Sequence, residues 1–141
     1  MTPFWPIDHT ADLGLRIRAR TKPALLAEAA RGLCSLLIEE PAGQPESYRE
    51  ISLAAPDEAY LLADFLAEIL SLAVDDGQVV VQVEGLKLAQ GEGQSLLKAR
   101  LGLKPAQSLG GLKQEIKAVT YHGLKIEKVK GGFEATVIFD V

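Results

Sequence analysis

The sequence predicts an α+β fold in a single domain, two helices packed on a mostly antiparallel β-sheet, and three observations predict it. Two windows, residues 25–37 and 61–73, place apolar residues three and four positions apart, the spacing of one buried helical face. Runs at 13–19, 48–54, 79–84, 95–103 and 133–140 alternate or stay apolar at strand length, with Gly, Pro and Asp between them. The 141 residues are 48% hydrophobic, enough for one buried core and too few for a second domain, so 1–141 is read as one unit.

In chain order, residues 13–19 form the first predicted strand. Thr21 then offers an N-cap and Pro23 suits a first turn, opening a helix that the pattern carries to about Glu40 and Pro41. Residues 41–45 read as a loop and 48–54 as a half-buried strand. Pro56, Asp57 and Glu58 begin the second helix with acids at the positive end of its dipole, and Asp75, Asp76 and Gly77 end it. Residues 79–84 are strongly strand-like and 86–88 continue them to a tight turn at 90–93. Residues 95–103 alternate as a strand, although periodicity alone also allows a helix there. A loop at 105–111 leads to two short strands within 115–128, on either side of His122 and Gly123. Lys130, Gly131 and Gly132 then turn the chain into the last strand, 133–140.

Composition narrows the function classes. The net charge of −4 and pI near 5.2 argue against tight, sequence-independent binding to a phosphate backbone, so a role in RNA chemistry would run through a protein partner. Cys34 is the only cysteine, which rules out an internal disulfide or a cysteine metal cage, and it falls in the apolar pattern of the first helix. No secretory pattern opens the sequence and no window reaches the length of a membrane span, so a cytoplasmic protein is expected.

Three stretches could carry chemistry. The first, 7–14, places Asp8, His9, Thr10 and Asp12 within five residues at the mouth of a strand. If extended, Asp8, Thr10 and Asp12 share one face, with His9 on the other. Such oxygen and nitrogen donors can hold a cation, or simply cap a turn. In the second, the strand and the sequence stop together, which would hold the terminal carboxylate of Val141 beside the Asp140 side chain. Two fixed anions call for a cation unless the end is frayed and hydrated. The third, 113–124, carries Lys117 and His122. Lys117 can anchor an acidic group or reach out to water, and His122 can be a ligand, a base or a hydrogen-bonded structural residue. No Ser-His-Asp order, phosphate loop or metalloprotease helix is present. The enzyme alternative is a metal-dependent phosphoryl hydrolase using Asp8, Asp12 and His122, and it lacks both a nucleophile and a phosphate cradle.

The Asp8-His9-Thr10-Ala11-Asp12 motif, the helix over 61–70, Gly91-Glu92, the Ile116–Leu124 run and the closing Val137-Ile138-Phe139-Asp140-Val141 together resemble the archease family, in order along essentially the whole chain. The resemblance implies a small, non-catalytic cytoplasmic protein that promotes guanylylation and turnover of the tRNA-splicing RNA ligase. It also implies an alternative, a chaperone-like modulator of RNA-modifying enzymes such as a tRNA methyltransferase. It implies a divalent-metal site, usually calcium, matching Asp12, Asp140 and Val141, and a partner-activating lysine matching Lys117. Asp8, His9 and His122 are secondary candidates. Oxygen-only donors favour Ca2+, with Mg2+ or Mn2+ as alternatives. Residues 95–111 depart from the family, which commonly carries acidic and His residues there.

Overall fold

The computed structural model describes residues 3–9, 12–39 and 43–141. Eight strands and two helices run in the order β1 (Phe4–His9), β2 (Asp12–Ala19), α1 (Lys22–Leu37), β3 (Ser47–Ala55), α2 (Glu58–Asp76), β4 (Gln78–Gly91), β5 (Gln94–Pro105), β6 (Ala118–Val119), β7 (Ile126–Val129) and β8 (Gly132–Asp140). All strand pairings are antiparallel. The predicted α+β class therefore holds, with the strands divided between two sheets. One has the order β1-β2-β8-β6, with β7 also on β8, and the other the order β3-β5-β4.

The helices form because their sequences cap and bury well. Thr21 Oγ1 accepts from the N–H of Ala24, with Pro23 in the first turn, and Asp57 caps α2 by accepting from Tyr60. Gly77 closes α2 in the left-handed conformation, φ 66°, where a side chain would be strained. Helix α1 meets β1, β2 and β8 of the first sheet and β4 of the second, while α2 meets β3, β4 and β5 of the second and β6 of the first. Both helices are consequently apolar over more than one stripe. Leu25, Leu26, Leu33 and Leu37 of α1 and Leu61, Leu62, Phe65 and Leu66 of α2 are fully buried. Each such side chain contributes roughly 1.5–3 kcal/mol by leaving water. Gly32 lets α1 approach the first sheet: a Cβ there would sit 2.6 Å from Leu15 Cδ2.

Several sequence expectations need correction. Helix α1 ends at Leu37, short of Glu40 and Pro41, because Ile38 turns extended and is itself fully buried. Strand β1 was not anticipated. Its Pro6 would interrupt an inner strand but is tolerated at the sheet edge that β1 occupies. Residues 115–117 are not strand, and β6 has only two residues. Ile116 and Val119 are buried there, three positions apart, in place of the alternation expected from 115 onward. Residues 106–109 form a short 3-10 helix in the predicted loop. The helical alternative for 95–103 is excluded: Leu97, Ala99, Leu101 and Leu103 are buried along β5 while Lys98 and Arg100 are exposed. Strand β4 does continue through 86–88 to the turn, as expected, but across an irregularity between Glu84 and Lys87, where Gly85 has φ 58°. Cys34 is buried, and burial pushes its thiol up to about 12, so it is inert packing as expected. No helix among the described residues is long and apolar enough to cross a membrane.

Candidate functional site

The first sheet positions the candidate residues by its register. Leu15, Ile17, Ala135, Val137 and Phe139 are buried, which puts the intervening residues of β2 and β8 on the face turned from the helices. Cross-strand rungs on that outer face run Arg18 with Glu134, Arg16 with Thr136, and Gly14 with Ile138. Arg18 Nε donates to Glu134 Oε2 at 2.9 Å, and Arg16 Nε to Thr136 Oγ1 at 3.4 Å. Leu13 pairs with Phe139 at the end of the ladder, and the next residue on each strand is Asp12 and Asp140, the terminal residues of β2 and β8. Two acidic residues thus stand at one end of this strand pair, while the Arg18–Glu134 rung near the other end pairs opposite charges.

Lys117 joins this edge from the other side of β8. Its N–H donates to the Asp140 carbonyl at 2.7 Å, and Ala118 pairs with Asp140 in β6. The Lys117 side chain is exposed and has no ion-pair partner among the described residues. The structure therefore brings Asp12, Asp140 and Lys117 to one sheet end, with Val141 immediately following Asp140. The chain then moves along β8, and the Thr120 N–H reaches Ile138. His122 lies beyond that in an exposed turn at 122–123, on the β6–β7 connection.

Within the 7–14 stretch, residues 7–9 belong to β1 and 12–14 to β2, and these strands pair antiparallel. The register pairs His9 with Asp12 and Asp8 with Leu13, so Asp8 and Asp12 do not lie on the single extended strand that a common face required. Thr10 lies outside the described residues. Among the described residues no group of three or more His, Cys, Asp or Glu side chains could hold a metal ion. The donor chemistry available at the edge is two carboxylates plus the main-chain oxygens of Val141. These are hard oxygen donors that fit Ca2+ or Mg2+, and for calcium's usual six to eight ligands they leave positions for water or a partner's oxygens.

One group escaped the sequence reading. Tyr121 Oη donates to Asp64 Oδ1 of α2 at 2.6 Å, and its ring packs on Tyr60 with centroids 5.3 Å apart. The hydrogen bond to Asp64, then burial and the Asp64 charge, push the phenol up to about 12. Tyr121 thus ties the segment carrying Lys117 to the helix. The signal in the sequence was Asp64 itself, an acid among the apolar residues 61–66 of the helix, but its partner is 57 positions away.

A sequence model of the Archease protein family matches residues 4–141. The protein archease of Methanopyrus kandleri is 34% identical over 139 residues, covering 99% of both chains, and that of Methanosarcina mazei is 32% identical over 136 residues, covering 96% of this chain and 93% of the relative. Among solved structures, the solution structure of Methanobacterium thermoautotrophicum protein 1598 superposes with a TM-score of 0.82 over the full length of both chains, at 23% identity. The crystal structure of a Thermotoga maritima protein described as an archease, possible chaperone, gives a TM-score of 0.60 at 21% identity, covering 97% of this chain and 96% of that one. At these identities the two structures show the shared fold alone.

Proposed function

This chain belongs to the archease family, and from that premise we propose that it is a non-catalytic protein cofactor of the tRNA-splicing RNA ligase, promoting the ligase's guanylylation and multiple turnover in the cytoplasm. The observation that supports this reading is the convergence of Asp12, Asp140 and Lys117 at one open sheet end, with the Lys117 main chain hydrogen-bonded to Asp140. Such an edge offers another protein anionic oxygens and an unpaired ammonium side by side. Asp12, Asp140 and a main-chain oxygen of Val141 would hold a divalent cation, Ca2+ first, with Mg2+ or Mn2+ as alternatives. The cation would supply positive charge to phosphate oxygens or to partner carboxylates. The residues of this chain hold and orient; the nucleophile and the nucleotide belong to the ligase.

The test is single-turnover guanylylation of the cognate ligase with and without this protein. Acceleration and sustained turnover support the reading, and an unchanged rate removes it. The second reading, a chaperone-like modulator of RNA-modifying enzymes, is favoured by the description of the Thermotoga maritima protein. It predicts suppressed aggregation of such an enzyme that is indifferent to metal and to Lys117→Ala.

A further inference from the structure

Exposed large hydrophobic side chains are concentrated on one face. Tyr60, Val74, Leu112 and Tyr121 all lie along α2 and the segment that crosses it, 112–121. Val74 is 54% exposed and Leu112 is 42%. Between helix and segment lie two adjoining cavities of about 430 and about 340 Å3. They share two lining residues, Val74 and Lys117. The first is walled by Leu112 and Ile116 with Glu115 beside them, the second by Ala67 and Leu70 with Asp75 at its side. Exposed apolar side chains grouped along such a cleft mark a contact surface.

Two further features specify what would lie there. The N–H groups of Gln114, Glu115 and Ile116 make no hydrogen bond among the described residues, although Lys113 and Lys117 on either side donate to the carbonyls of Leu37 and Asp140. A short stretch of irregular main chain beside an apolar cleft can accept strand-like pairing from a second chain. Lys117, common to both cavities, has no carboxylate in ion-pairing reach among the described residues.

We propose that this cleft receives an extended segment of the partner ligase. The segment pairs with the main chain of 114–116, seats apolar side chains against Val74 and Leu112, and brings a carboxylate to Lys117. The inference rests on the proposed function and adds to it. The cleft supplies affinity and aligns the partner, while the adjoining Asp12–Asp140 edge acts on it. A cleft open along its length suits an extended chain, whose alternate side chains enter successive pockets.

The experiment measures binding of the cognate ligase by calorimetry, and its guanylylation in parallel, for the wild type and for Val74→Glu, Leu112→Glu and Lys117→Met. Both apolar positions are exposed, so the substitutions leave the core untouched, and unchanged melting temperatures confirm it. Each glutamate should weaken binding about tenfold or more, as loss of an interface anchor does. Lys117→Met, which keeps the apolar stem, should weaken it a few-fold and flatten its salt dependence. Hydrogen exchange at 114–116 should slow when ligase is added. Unchanged binding by both glutamate variants, with wild type still accelerating guanylylation, overturns the cleft assignment and leaves the proposed function standing. A wild type that neither binds nor activates the ligase overturns both. Self-association of the wild type that the glutamate variants abolish, with ligase binding intact, assigns the cleft to a second copy of this chain and overturns the inference.

Discussion

Asp140→Asn should change the stability of this protein with opposite sign depending on whether calcium is present. The substitution is nearly isosteric and leaves the main-chain bond from Lys117 to the Asp140 carbonyl in place. With chelator, it removes one of the two carboxylate charges that end β2 and β8, worth about 0.2–1 kcal/mol of stabilisation where like charges are cross-strand neighbours. With calcium at 100 times its dissociation constant, the wild type gains about 2.7 kcal/mol from binding, and the variant forfeits most of it. At roughly 2.1 cal/mol/K per residue, a chain of 141 residues has an unfolding entropy of about 0.3 kcal/mol/K. The wild type should therefore melt about 9 °C higher in calcium than in chelator, whereas the variant should melt about 1–3 °C above the wild type in chelator and well below it in calcium. Paired thermal melts followed by circular dichroism make the comparison. An equal calcium-induced rise in both proteins would falsify the assignment of Asp140 as a ligand, and a variant that melts lower in chelator would refute the electrostatic account of the two carboxylates.

Other outcomes follow from the same geometry. Residues appended after Val141 should reduce the calcium-induced shift if a terminal carboxylate is a ligand, while residues placed ahead of Met1 should not; equal shifts in both extended proteins remove Val141 from the site. Lys117→Ala should abolish ligase activation while costing less than about 1 kcal/mol in denaturant unfolding, since its side chain is exposed and unpaired. Tyr121 has a folded pKa raised above its unfolded value of 10.0, so its hydrogen bond to Asp64 contributes fully below pH 10 and is lost as pH rises through about 12. Ultraviolet titration of the three tyrosines should show a step near 12 that Tyr121→Phe and Asp64→Asn both remove, and its survival in either would contradict the assignment. Gly32→Ala, which improves helix propensity, should nonetheless destabilise by about 1–3 kcal/mol, because the new methyl meets Leu15 in a filled core; a rise in stability would show that α1 can move away.

Periodicity carried most of the fold. Both helices, the alternation of β5 and the closing strand β8 follow from where Leu, Val and Phe recur, because burial sets those positions. What periodicity does not carry is pairing between distant segments. The division of the strands into two sheets, the placing of β8 between β2 and β6, and the Tyr121–Asp64 bond depend on packing across many residues. The short β6 failed for a local reason, since Ile116 and Val119 bury three apart, a spacing foreign to the alternation of a strand. At the candidate site, the residue types at 8–12 and 140–141 were conspicuous, but their relation was inferred from resemblance. The register supplied the geometry by ending β2 at Asp12 and β8 at Asp140 on the same end of the sheet, and it divided the assumed extended stretch between two antiparallel strands that pair His9 with Asp12. The cleft beside Lys117 was illegible because nothing in the spacing of Val74 and Leu112 says that the fold leaves both uncovered.

The position of β8 also governs when the candidate site can exist. This strand follows every other element in sequence yet lies inside its sheet, joining β2 on one side and β6 and β7 on the other. Its pairing with β2 links residues separated by more than 110 positions, from Ala19 with Phe133 outward to Leu13 with Phe139. Closing so long a loop is entropically costly and makes such topologies slow to fold. The β3-β5-β4 sheet and both helices can assemble beforehand, since every residue they use precedes residue 106. A chain emerging during synthesis would thus hold a formed helical layer with one flank still bare, and Asp12 and Lys117 would have no common neighbour until residues 132–140 arrived. The acidic edge thus forms only when β8 has paired with β2 and β6, so its presence reports the last long-range pairing of the fold.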